Sequence, residues 1–215
     1  MVADLKRWGC AKMVIIKYKK MGVGAFIDNT EMLSCWGRVF NRANIIFDKD
    51  NGEEFYILQP SPLKIESEIE YLCIKTDKSA EQIEDGVARL FPDWIEIIGS
   101  CKIDENIDLQ EQEYYQEFMF SFPEIRRNII SVTKAFSELL KTNKITALKV
   151  TPEGVIVTQS SILSNTMCDI AAQIVAKCNM ENDYSLVRKK LLISIEGKLT
   201  DFEEFLNEKT NVTSY

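Results

Sequence analysis

Histidine is absent from all 215 residues. That single gap removes the commonest general base, the Ser-His and Cys-His dyads, and the commonest zinc ligand. The six cysteines, at 10, 35, 73, 101, 168 and 178, include no C-x-x-C pair. A zinc ribbon, an iron–sulfur run and a thioredoxin-type site therefore have no local support. Apolar runs are short, such as Met13–Ile16 and Leu191–Ile193, far below the roughly 20 residues that cross a bilayer. With five prolines, nine glycines and no sustained heptads, collagen, coiled coil and disorder are excluded.

What remains is the composition of a folded soluble protein, 46% hydrophobic and 27% charged. The length suits one large domain or two small ones. Cys35, Cys73, Cys168 and Cys178 fall on apolar faces, as free thiols do in a reducing compartment. The basic segment Met1–Cys10 lacks the apolar stretch of a secretory signal. Both observations give the expectation of a cytoplasmic protein with no membrane partner. The net charge is −7, with +4 over residues 1–50 and −9 over residues 51–110. Such acidity is ill-suited to broad nucleic-acid binding, which needs clustered cations. It leaves room for a local basic face: Lys17, Lys19 and Lys20 lie close together, and Arg38 and Arg42 sit four apart on one helical face. Lys189 and Lys190 would join them if the fold brings the segments together.

The chain reads as one unit twice. Met13–Lys19 is a β-branched strand, Gly22 and Gly24 mark a turn, and Asp28 or Asn29 caps a helix. That helix carries Met32, Leu33, Cys35, Trp36, Val39 and Phe40 at helical spacing. Strands follow at Phe55–Leu58 and Ile69–Lys75, then a helix opened by a Ser79/Gln82 capping box, then a strand at Trp94–Ile98. The order recurs as strand Tyr114–Phe120, a helix with the stripe Ile125, Ile129, Val132 and Phe136, a hairpin across Pro152-Glu153-Gly154, a helix to Lys177, and strand Leu186–Ile195. The expectation is an α+β protein of two tandem ferredoxin-like (βαββαβ) units with antiparallel sheets. The first unit spans 13–103, the second 112–197, and a tail 198–215 carries Phe202, Phe205 and Leu206, an apolar face for docking on another chain.

Several strings resemble a bacterial family, the radical SAM-linked domain. Pro62-Leu63-Lys64-Ile65-Glu66-Ser67-Glu68-Ile69-Glu70-Tyr71-Leu72 is similar to its Pro-Leu-x-x-Glu-Ser-Glu-x-Glu-Tyr-Leu run. Ile16–Lys20, Phe26-Ile27 and the helix with Arg38 and Arg42 resemble its opening, and Arg188–Ile193 its closing strand. The family's helix-start histidine falls at Asn29 and its aspartate at Glu31. The resemblance implies an accessory role beside a radical SAM enzyme, with RNA or that enzyme as partner; the missing histidines add the expectation of no catalysis of its own, and no cofactor or metal is assigned.

The residues assigned to binding are Lys17, Lys19, Lys20, Asn29, Glu31, Arg38, Arg42, Glu66, Ser67 and Glu68. On a strand, Glu66, Glu68 and Glu70 project from one side and repel, so a cation or an arginine should face them. The alternative is a carboxylate- or metal-dependent RNA-processing enzyme using Glu31, Glu66 and Glu68. Gly22-Val23-Gly24 suits a phosphate-cradling turn, and Trp8, Trp36 and Trp94 are candidates to stack on bases.

Overall fold

A computed structural model describes residues 13–45, 55–76, 78–87, 89–103, 108–122, 125–180 and 184–211. The side chains of 125–127, 164–166 and 211 are outside that description, as are the whole residues Trp8 and Cys10. The strands are β1 (Met13–Lys20), β2 (Phe55–Leu58), β3 (Glu66–Lys75), β4 (Ile95–Ile103), β5 (Tyr114–Ser121), β6 (Ala147–Val150), β7 (Val155–Ser160), β8 (Ser185–Ile195) and β9 (Lys198–Asp201). The helices are α1 (Asn29–Arg42), α2 (Ala80–Val87), α3 (Ile125–Lys141), α4 (Met167–Lys177) and α5 (Phe202–Asn211).

The chain is a mixed α+β protein built on one sheet, mostly antiparallel and nine-stranded. The path is β4-β1-β3-β8-β5-β7-β6, with β2 added to β3 and β9 to β8. Two separate sheets were expected. They are joined by a short parallel contact between β3 and β8, at Glu66↔Val187 and Ser67↔Arg188. Beyond Ser67 the same edge of β3 is taken by β2, which pairs Phe55↔Ile74 through Leu58↔Tyr71. Strands β2 and β8 thus fork away from one another along β3.

Local chemistry explains most elements. Asp28 caps α1 by accepting from the Glu31 amide at 2.8 Å. Ser79 and Gln82 form the reciprocal capping box of α2, at 3.0 and 3.2 Å. Gly154 is needed for space: a Cβ there would lie 2.3 Å from the Phe120 carbonyl oxygen. Positive φ is found at Gly22 and Gly197, the latter closing a β8–β9 hairpin whose second strand lies in the stretch expected as a tail.

Strand β1 alternates weakly because it is buried on both faces. Val14, Ile16 and Tyr18 pack with Met32, Trp36 and Phe40 of α1 and Ile83 of α2. Met13 and Ile15 pack on the other side with Phe202, Phe205 and Leu206 of α5. The tail's apolar face is therefore core, with Phe202 edge-on to Tyr71 at 4.8 Å and to Tyr114 at 5.9 Å. Among the described residues, α5 covers that side of the fork. The second half has its own core of Phe118, Phe120, Phe136 and α4 residues, and Ile65 of the first half belongs to it.

Candidate functional site

The fork places charge where the sheet would otherwise be dry. Glu70 of β3 and Arg188 of β8 are both 0% exposed, and Lys20 of β1 is 4% exposed. The register sets Lys20 opposite Ser67 and Ser67 opposite Arg188, so one row of the sheet carries both cations. Between Ser67 and Glu70 β3 holds one residue more than β1, a bulge that brings Glu70 opposite Tyr18.

Arg188 donates from Nη1 to the Gln59 carbonyl at 2.6 Å and reaches Glu70 Oε2 at 3.5 Å. Its Nε and Nη2 are buried without a partner. The Glu70 carboxylate accepts from the Ser61 amide, at 3.2 and 3.3 Å to its two oxygens. The Lys20 ammonium has neither a hydrogen bond nor an ion pair among the described residues. Burial pulls Lys20 below the ordinary lysine value, and Arg188 adds to this, while Glu70 opposes both. Tyr18 is pushed up, first by burial and then by Glu70.

Lys20, Ser61 and Glu70 line a narrow pocket together with Tyr18, Asn29 and Asp28. Its inner space is close to that of one water molecule. The Ser61 hydroxyl is buried in its wall without a partner. The 3-10 turn Gly22–Phe26 exposes Val23 (64%) and Phe26 (65%), and the β2–β3 loop exposes Leu63 (47%). A backbone bond from the Lys64 amide to the Ala25 carbonyl, 2.7 Å, ties the two loops together.

The ten residues assigned from sequence are only partly gathered. Strand alternation separates Lys20 from Lys17 and Lys19. Lys17 pairs with Glu203 of α5 at 2.6 Å and Lys19 with Glu96 of β4 at 2.9 Å. Lys189 pairs with Glu68, and Lys190 with Asp201 at 2.7 Å. Among the described residues, four of the cations considered for a basic face are paired with neighbouring carboxylates. Arg38 and Arg42 are exposed on α1, as is Glu31 at its first turn.

Glu66, Glu68 and Glu70 do not face one cation either, because the bulge breaks their common side. Glu66 accepts from the Gly22 amide at 2.8 Å, so the glycine turn holds a carboxylate of its own chain in place of a phosphate. Ser67 is buried and donates to the Ile69 carbonyl at 2.8 Å. Among the described residues, no three acidic or cysteine side chains are grouped to hold a metal ion. Trp36 is core and Trp94 packs beside it, against Gly24. Glu70 and Arg188 are the functional candidates that the site assignment left out. A charge inside the apolar run Ile69–Ile74 is a signal that asks for a buried partner.

The sequence profile of a bacterial family, described as "Uncharacterized protein conserved in bacteria (DUF2344)", matches residues 13–189. No curated protein matches the chain. Among solved structures, a protein named as a chlorite dismutase is 10% identical, with 92% of this chain and 98% of that chain covered, at a TM-score of 0.26. An aspartate kinase of Clostridium acetobutylicum is 14% identical, with 78% and 33% covered, at a TM-score of 0.20. Neither likeness is close enough to inform fold or function. No helix of the described residues is long and apolar enough to cross a membrane.

Proposed function

This chain belongs to the DUF2344 family of bacterial proteins, and on that premise we propose that it is a non-catalytic binding module, cytoplasmic, that serves as accessory to a radical SAM enzyme. In this reading each half is a ferredoxin-like unit. The strand orders β4-β1-β3-β2 and β8-β5-β7-β6 support it.

The observation that carries the proposal is the apolar shoulder of Val23, Phe26 and Leu63 on two loops braced against one another. Exposed large apolar side chains gathered beside a polar pocket are the mark of a protein contact. The partner reading is favoured over RNA because Lys17, Lys19, Lys189 and Lys190 are already paired. The carboxylate-based RNA-processing alternative draws no support from the geometry. Glu66 is committed to the Gly22 amide and Glu68 to Lys189, which leaves Glu31 by itself.

Size-exclusion chromatography of the full chain with the radical SAM enzyme of the same bacterium tests the reading. Co-elution at micromolar concentration is expected, lost in Phe26→Asp/Leu63→Asp with an unchanged circular dichroism spectrum. Separate elution of the folded wild type overturns it. RNA is the second reading, favoured by exposed Arg38 and Arg42. A salt-dependent gel shift abolished by Arg38→Glu/Arg42→Glu would put RNA first.

A further inference from the structure

The fork holds two cations, Lys20 and Arg188, and one carboxylate, Glu70, all three buried, with only Arg188 paired to Glu70 and with Asp28 also lining the pocket. Glu70 is engaged twice, by the Ser61 amide and by Arg188. Lysine is almost never this buried unless paired. Lys20 nevertheless has no hydrogen bond or ion pair among the described residues, and it lines the pocket.

The rest of the wall is equally incomplete. The Ser61 hydroxyl, in a residue 6% exposed, has no partner. Asn29 lies at the first position of α1, a helix of 14 residues whose opening amides have no intrahelical acceptor. Asp28 is the one other charged group lining the pocket besides Lys20 and Glu70, and its side chain is occupied by the Glu31 amide. An unpaired ammonium, an unpaired hydroxyl and a helix start together are the parts of an oxyanion site.

We infer that this pocket binds a phosphate group, with one oxygen seated between Lys20 and Ser61 and the others held at the mouth by Asn29 and the first turn of α1. The inner space admits about one oxygen-sized atom, so the group enters tip first. The rest of the ligand lies outside the pocket. The inference goes beyond the docking proposal and does not depend on it: a chain that fails to co-elute with the partner enzyme should still bind phosphate.

The test uses the full chain with inorganic phosphate, read by calorimetry and thermal shift at neutral pH against chloride of equal ionic strength. Binding is expected in the wild type, weakened at least tenfold in Lys20→Met and about threefold in Ser61→Ala. Lys19→Met, on the opposite face of β1, should stay within twofold. If Lys20→Met fails to fold, Ser61→Ala against Lys19→Met decides. Heat and melting temperature indifferent to phosphate, or equal loss in Lys19→Met, overturn the inference. A parallel arm with 5′-phosphorylated and 5′-hydroxyl RNA oligomers identifies the source. Preference for the phosphorylated end marks a nucleic-acid terminus, and equal indifference to both marks a free or small-molecule phosphate.

Discussion

Replacing Glu70 by glutamine keeps the size of the side chain and its ability to accept the Ser61 amide. It removes the one negative charge that lies fully buried between Lys20 and Arg188. Arg188 would keep only the Gln59 carbonyl, and Lys20 would lose the carboxylate that offsets its desolvation. Breaking a buried pair by deleting one partner costs about 3–5 kcal/mol. For a chain of this length that is a fall in melting temperature of roughly 6–20 °C. The triple variant Lys20→Met/Glu70→Leu/Arg188→Met should recover most of it. It removes the buried charges together with the two unpartnered Arg188 donors, each worth about 1–3 kcal/mol of penalty, while orphaning the Gln59 carbonyl and the Ser61 amide. Urea unfolding followed through the indole emission of Trp36 and Trp94 gives both numbers. A Glu70→Gln variant within 1 kcal/mol of wild type refutes the reasoning, because it would mean that solvent already neutralises the cations. So does a triple variant no more stable than the single one.

Two further outcomes follow from the same burial. The folded value of Lys20 lies below its ordinary 10.5, so the unfolded chain binds more protons and stability rises with pH between the two values. Lys20→Met should therefore be more stable than wild type near pH 7, with the gap narrowing toward pH 10.5. A gap constant with pH would contradict this. Burial pushes the Cys73 thiol up to about 12 and the Cys101 thiol to about 11. In native protein at pH 8 these two should react last with Ellman's reagent, and their prompt labelling would show that the core around β3 opens readily.

How far the fold was legible depended on how far apart the interacting residues lie. The capping box at Ser79 and Gln82 and the stripe of α1 are local and were readable. The four-residue strand β9 was missed because Lys198-Leu-Thr-Asp has no alternation of its own and exists only as a partner to β8. The bulge in β3 is invisible in its own sequence, since it is defined by the register against β1. The union of the sheets rests on two residue pairs 121 positions apart, and nothing nearby announces it. Within the site, period-two alternation already places Lys20 on a different face from Lys17 and Lys19. What it cannot reveal is that Glu203 and Glu96 wait for the other two.

Ile65 ends the loop that leaves β2, yet its side chain is a member of the other half's core. Gln59 and Ser61 of the same short loop hold Arg188 and Glu70. A single inserted or deleted residue between positions 59 and 65 would shift three things at once: a charge ligand, a pocket wall and a borrowed keystone. Neither half can drift in length there without the consent of the other, so this loop is where the two descend as one.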